Sequence, residues 1–330
     1  MFKIKDLGFR SGRKSDIYNG FNKTDEKGKI VNQSPSRMVP YICLVLAMVL
    51  WASTFVALKL AFRTYDPMVV IFGRMLVASL CALCFPFVFR NITFRYKDLK
   101  YIVIMVICEP CLYFVFEAKA LVHTSASQAG MITTMMPLLV AIAAWGILKE
   151  KLTIKTLFGF LIAVIGALWL SIASESSQHA PNPVWGNFLE FMAMVCGSGY
   201  AICLKKLTNY YSALFLTFLQ AFAGAIFFFP ILFLPSTILP VEIVPLPFLS
   251  ILYLGGAVTL GAYGCYNYGV SQIPASQATA FINLIPVFTL IMSVLILKEK
   301  FTGVQYLASG LVFVGVILTQ APFGHAPAAK

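Results

Sequence analysis

Past a polar opening stretch, the chain becomes a series of apolar runs of nearly constant length, separated by short polar loops. The runs lie at about 39–61, 68–89, 99–121, 126–148, 153–172, 185–206, 211–234, 247–270, 276–297 and 302–321. Each approaches the roughly 20 residues that an α-helix needs to cross the hydrocarbon core of a bilayer. None alternates apolar with polar positions as the strands of a membrane barrel do, and an open strand would leave its backbone unsatisfied in lipid. The pattern predicts an all-α integral membrane protein with ten transmembrane helices.

One stretch of this pattern occurs twice. Ala126–Lys151 and Ala275–Lys300 align without a gap at a spacing of 149 residues and are identical at 11 of 26 positions. Apolar bias explains a few matches, but not a shared Ala-Ser-Gln-Ala, Pro137 with Pro286, and a terminal Leu-Lys-Glu-Lys. Fainter echoes pair Ala47-Met48-Val49 with Ala193-Met194-Val195, Leu58-Lys59 with Leu204-Lys205, and Phe85-Pro86 with Phe229-Pro230. Nearly everything from 39 to 321 is therefore read as a duplicated five-helix unit. An odd number of helices per unit forces the second to run inverted through the bilayer. The expected organisation is a basic arm at 1–37, a first repeat at 38–173, a second at 184–321 and a tail at 322–330.

Composition agrees with a membrane protein. Of 330 residues, 59% are hydrophobic and 12% charged, with mean hydropathy +0.84, whereas a soluble domain carries about 25% charged residues. The net charge of +12 does not point to nucleic acid, because 9 of the 25 Lys and Arg precede residue 38 and most others sit in short loops. Placing the arm in the cytosol puts 19 of the 25 on the inner side and leaves Arg63, Lys298 and Lys300 outside, as the positive-inside rule requires. The arm lacks an apolar run and a cleavage site, so it is expected to be cytosolic and disordered rather than a signal peptide. The eight cysteines fall in apolar runs without paired ligand spacing, which implies neither disulfide framework nor metal site, and no cofactor is expected.

Residues 120–129, Ala-Leu-Val-His-Thr-Ser-Ala-Ser-Gln-Ala, with a proline eight residues later and the Leu-Lys-Glu-Lys end, resemble the EamA repeat of the drug/metabolite transporter superfamily. The copy from Gly269 to Lys300 fits the same pattern. The resemblance implies ten helices in two inverted repeats, alternating access around a central cavity, and export of amino acids or other small metabolites. It also implies that the fifth and tenth helices stay at the periphery.

Candidate chemistry lies inside the runs. Glu109 falls near the midplane of the third, where an ionised carboxylate costs several kcal/mol unless paired or facing water; the alternative is a structural acid beside Pro110. Glu117 lies two turns further out and can border the same cavity. Arg74 either snorkels or counters a carboxylate, and its approximate counterpart in the second half is Gln220. Trp51, Phe55, Tyr200, Tyr263, Tyr266 and Asn267 are read as an aromatic and hydrogen-bonding lining, with helix packing as the alternative. Gln128 and Gln277 suit caps, Lys59 and Lys205 interface anchors, and the two Lys-Glu-Lys triplets boundary markers. The glycines of the eighth run, from Gly255 to Gly269, are expected to keep that helix slim.

These features predict a secondary transporter of the cytoplasmic membrane with both termini cytosolic. It would export amino acids or similar metabolites, with protons as a candidate coupling ion at Glu109. The expected partners are a small-molecule substrate and the bilayer, with no nucleic acid; a monomer is compatible and the oligomeric state is left open. The rivals are a lipid-linked carrier or flippase of the same superfamily and a membrane-embedded enzyme. The latter is disfavoured because His123, His179 and His325 lie outside the helix centres and form no catalytic or metal-ligand spacing.

Overall fold

The computed structural model describes residues 38–320 except 91, 149–153 and 179, together with Lys23–Thr24 and Ile30–Val31. These two pieces, β1 and β2, pair antiparallel. The rest of the arm, the 322–330 tail, the Lys149-Glu150-Lys151 triplet, His179 and His325 lie outside the described residues.

Helices begin where the sequence supplies caps. α1 (Val39–Phe62) opens with proline in its first turn, and Asp66 caps α2 (Pro67–Leu83) by accepting from the Met68 N–H at 2.8 Å. They are followed by α3 (Leu99–Val106), α4 (Tyr113–His123), α5 (Ala126–Ile132), α6 (Met135–Leu148) and α7 (Ile154–Ile172). The second half holds α8 (Pro183–Leu207), capped by Asn182, and α9 (Ala213–Phe228), capped by Ser212. It continues through α10 (Pro245–Tyr253), α11 (Tyr263–Gln272), α12 (Ala275–Ala280), α13 (Ile285–Met292) and α14 (Gly303–Gln320).

Among the described residues, seven helical stretches are long and apolar enough to cross a membrane, and three shorter apolar helices accompany them, at Pro67–Leu83, Leu157–Ile172 and Gly303–Gly315. Large apolar side chains such as Leu161, Ile226 and Leu295 stand exposed on the outside, as a lipid-facing surface requires.

The runs are less continuous than the hydrophobic pattern suggests. The third breaks at Glu109, whose backbone (φ −150°, ψ 119°) is not helical, and re-forms as α4 after Ile107–Leu112. Pro110 lacks the N–H that would continue the ladder. The corresponding run of the second half carries a π-helical stretch at Leu254–Ala262, between α10 and α11. Likewise the second run stops at Leu83 and the seventh at Phe228, each followed by a 3-10 turn that begins with a proline, Pro86–Phe89 and Pro230–Phe233. The fourth run divides into α5 and α6, and the ninth into α12, a 3-10 turn and α13.

α7 and α14 pack on each other. A Cβ on Gly315 would come within 2.5 Å of the Ala163 nitrogen, and one on Gly166 within 2.7 Å of the Val312 nitrogen. The buried core lies instead among α1, α2, α4, α8, α9 and α11. Two of the eighth run's glycines do hold that helix close to its neighbours: Gly255 against Val77 and Gly269 against Leu44, each with a virtual Cβ within 2.6 Å. Gly256, Gly261 and Gly264 have no such contact, so the slim-helix reading holds only at these two levels.

Candidate functional site

The interior holds a narrow cavity of about 30 Å³, lined by α1, α2, the Glu109 break, α4, the α5–α6 junction, α8, Ile282, Ile285 and the start of α11. Six of the nine candidate residues line it: Trp51, Phe55, Arg74, Glu109, Glu117 and Tyr263. Thr54, Tyr113, Phe114, Thr133 and Met194 complete much of the wall.

Arg74 does not snorkel; it is 1% exposed. Its Nε–H donates to Thr259 Oγ1 at 3.1 Å, its Nη1 lies 3.8 Å from Glu117 Oε2, and its guanidinium stands 4.4 Å from the centre of the Phe114 ring. The π-helical stretch brings Thr259 here, and Gly255 permits the approach: a Cβ at 255 would be 2.7 Å from the Arg74 carbonyl oxygen. Glu117 is therefore the carboxylate that Arg74 reaches.

Glu109, 4% exposed, has a different partner. The Tyr263 hydroxyl donates to its Oε1, and the Gln220 side-chain amide donates to its backbone carbonyl at 3.4 Å. The break that removes Glu109 from the helix is what turns this carbonyl toward α9. Because the helix is interrupted, a continuous wheel does not relate Glu109 to Glu117, although both line the cavity.

Tyr200, Tyr266 and Asn267 sit one layer behind the wall. The Tyr200 hydroxyl donates to Asn267 Oδ1, and Asn267 Nδ2 donates to Thr217 Oγ1 at 2.9 Å and Gln220 Oε1 at 3.3 Å. The rings of Tyr263 and Tyr266 lie 5.0 and 4.7 Å from Trp51, centre to centre. This layer fixes the orientation of the groups in front of it.

Three groups at the cavity wall lack a hydrogen-bond partner among the described residues: Trp51 Nε1, Arg74 Nη1 and Glu117 Oε2. Arg74 Nη1 and Glu117 Oε2 face each other as an ion pair at 3.8 Å without a hydrogen bond, and Trp51 Nε1 has neither; a buried polar group without a hydrogen bond is costly, so two donors and one acceptor can each bond a ligand.

Several readings of single residues change. Lys205 is not an interface anchor, because its Nζ donates to the Val270 and Ile273 carbonyls (2.6 and 2.7 Å) and caps α11. Gln128 reaches beyond its own turn to Asn187 and Thr124 (both 3.1 Å), while Ser125 supplies the cap of α5. Gln277 is exposed. Glu299 is no mere boundary marker: it accepts from the Ala126 N–H (2.9 Å), the Ser127 N–H (3.1 Å) and the Ser127 hydroxyl. One copy of the duplicated stretch thus grips the start of the other. Sequence reasoning also missed Glu190, fully buried on α8. The signal was present, since Glu190 is the lone acid of its apolar run, as conspicuous as Glu109.

The chain matches the EamA-like transporter family twice, over residues 38–172 and 184–320. It belongs to the EamA-like transporter family. Among its relatives, the uncharacterized transporter YetK of Bacillus subtilis is 26% identical over 86% of this chain and 87% of its own length. A probable terminal-alkyne amino-acid exporter of Streptantibioticus cattleyicolor is 25% identical, covering 83% and 91%. A solved structure titled only as the crystal structure of a protein superposes with TM-score 0.60 at 18% identity, over 86% of this chain and 99% of that one, a likeness of fold. This EamA protein is thus a membrane transporter by family, and the two matched segments are the two halves of the sequence duplication.

Proposed function

We propose that this EamA protein is a secondary transporter exporting amino acids or similar small metabolites across the cytoplasmic membrane by alternating access. Ten spans in two inverted five-helix repeats, with both termini cytosolic, give the cavity two routes related by a pseudo-two-fold axis in the membrane plane. The observation that carries the cargo class is the set of wall groups without a hydrogen bond: the ion pair of Arg74, a donor, and Glu117, an acceptor, beside the Trp51 N–H donor. A zwitterion satisfies all three. Its carboxylate takes the Arg74 fork and the Trp51 N–H, and its ammonium lies between Glu117 and Glu109. Phe55, Phe114, Ile282 and Ile285 favour an apolar side chain, and the cavity, about 30 Å³ in this state, widens to admit the cargo as access alternates. That a relative is named as a probable amino-acid exporter supports the same class.

Glu109 is the proposed coupling acid. A proton and the cargo ammonium compete for its carboxylate, so exchange of one for the other links export to proton entry. Glu299 closes the outer end by holding α5, and releasing it opens the cavity. The test is accumulation of labelled amino acids in inverted vesicles with and without a pH gradient. Gradient-dependent uptake, lost when Arg74 is replaced by Ala, is expected. Equal labelling of vesicles with and without the protein, for every amino acid and amine tried, would overturn the reading.

A further inference from the structure

Glu190 has no part in the wall groups described above, yet it is the most deeply placed acid among the described residues, 0% exposed. Neither of its carboxyl oxygens has a hydrogen-bond partner, a condition that no other buried carboxyl among the described residues shares. An ionised carboxylate left this way costs several kcal/mol, so the group must hold a proton or lie against a cation. The local cations are too few. Glu109, Glu117 and Glu190 are three buried carboxyls, and the one buried guanidinium beside them, Arg74, is already engaged at Glu117.

Its position is specific. α4 and α8 run antiparallel at close range: Gly186 abuts Thr124 and Ala120, where a Cβ would crowd the partner, and Gly197 lies beside Tyr113, where a Cβ would make an ordinary contact at 3.5 Å. Glu117 and Glu190 therefore meet at neighbouring levels of one interface. One turn inward from Glu190 is Met194, in the cavity wall. On the other side is Asn187, whose amide donates to Gln128 Oε1 (3.1 Å) and Ser171 Oγ (3.0 Å) and whose Oδ1 lies 2.7 Å from Thr124 Oγ1.

We infer that Glu190 and Glu117 form a second proton-binding site, a carboxyl pair between the cavity and the Asn187 cluster, separate from Glu109. α8 packs against α3, the 107–112 break, α4, α5, α6, α7, α11 and α12. Of the ionisable groups on these elements, Glu117 and Tyr113 stand on α4, which packs against the helix that carries Glu190. Arg74 stands beyond Glu117, and Glu109 and Tyr263 face the opposite wall. α5, α6 and α12 carry no ionisable side chain. With Arg74 on Glu117, the proton resides on Glu190. When a cargo carboxylate draws Arg74 away and an ammonium enters, the Glu190 O–H bond breaks and its proton leaves through the polar cluster around Asn187. The ammonium, held between Glu117 and Glu109, replaces the positive charge that Arg74 withdrew and offsets the carboxylate left on Glu190, so charge is conserved. The site itself is independent of the cargo; this use of it rests on the amino-acid reading.

Infrared spectroscopy of the purified full-length protein tests the site without transport. Glu109→Gln should remove a protonated-carboxyl band of its own, whereas the band of Glu190 is expected in wild type, absent from Glu190→Gln and retained in Glu109→Gln. Its pH midpoint should move by about one unit in Glu117→Gln, as interacting acids require. If Glu190→Gln removes no band, or the midpoint is indifferent to Glu117→Gln, the proposal is overturned. Should Glu190→Gln not fold, Glu190→Asp keeps the acid, and the band must shift in frequency; an unshifted band counts against it equally. Loss of amino-acid uptake in wild type with the band intact would defeat the transport reading alone.

Discussion

The grip of Glu299 on α5 offers the most direct test of how the carrier closes. Its carboxylate accepts two backbone N–H groups, at 2.9 and 3.1 Å, and the Ser127 hydroxyl. These lie at a helix N-terminus, where the dipole favours negative charge. Hydrogen bonds to a charged group contribute about 1.5–3 kcal/mol each, against about 1 kcal/mol for neutral pairs. Glu299→Gln keeps one acceptor oxygen and loses the charge, so one bond disappears and the others weaken, about 2–4 kcal/mol in all. At about 1.4 kcal/mol per tenfold, the closed-to-open ratio should fall roughly 30- to 700-fold. The assay is alkylation by a membrane-impermeant maleimide, added outside, of a cysteine replacing Thr133, which lines the cavity. Glu299→Gln should raise the labelling rate, whereas Lys298→Gln at the exposed neighbouring position should not. If the cysteine reacts equally fast with and without Glu299→Gln in folded protein, the contact does not hold the outer side shut, and the reasoning fails.

Arg74→Lys replaces a planar fork that bonds Thr259 and faces Glu117 with a single ammonium, and should weaken cargo affinity by at least about tenfold in direct binding. Glu109→Gln retains shape and the Tyr263 contact but cannot titrate; it should abolish accumulation against a gradient while passive exchange persists, which counterflow measurements separate. Gly315→Val drives a side chain into the Ala163 backbone and should lower the thermal midpoint, by an amount corresponding to about 1–3 kcal/mol, without changing cargo affinity at fixed temperature in the folded fraction. Cysteines at Thr93 and Ala180 should label from the cytosolic and outer sides respectively; cytosolic labelling at 180 would remove the inverted arrangement.

Much of this protein is legible in one dimension. Lipid offers no hydrogen bonds, so an apolar run of a given length can only be a helix, and this fixes the all-helical character. Duplicated polar letters inside apolar text expose the repeat, and a lone Glu or Arg within a run marks itself by its desolvation cost. Glu109, Glu117, Arg74, Trp51, Phe55 and Tyr263 were found in this way and share one cavity. Partnership was not legible. That Arg74 meets Glu117 while Tyr263 holds Glu109 depends on the backbone break at residue 109 and on Gly255 letting two helices touch. A hydrophobic pattern registers neither, because a broken helix and an intact one bury the same side chains. Glu299 shows the limit most clearly: its charge at the end of a run reads as an ordinary membrane boundary, and only the folded chain brings it against Ala126 and Ser127, 173 and 172 residues away. Composition sets which groups are too costly to leave alone in lipid, and three-dimensional packing decides which group relieves which.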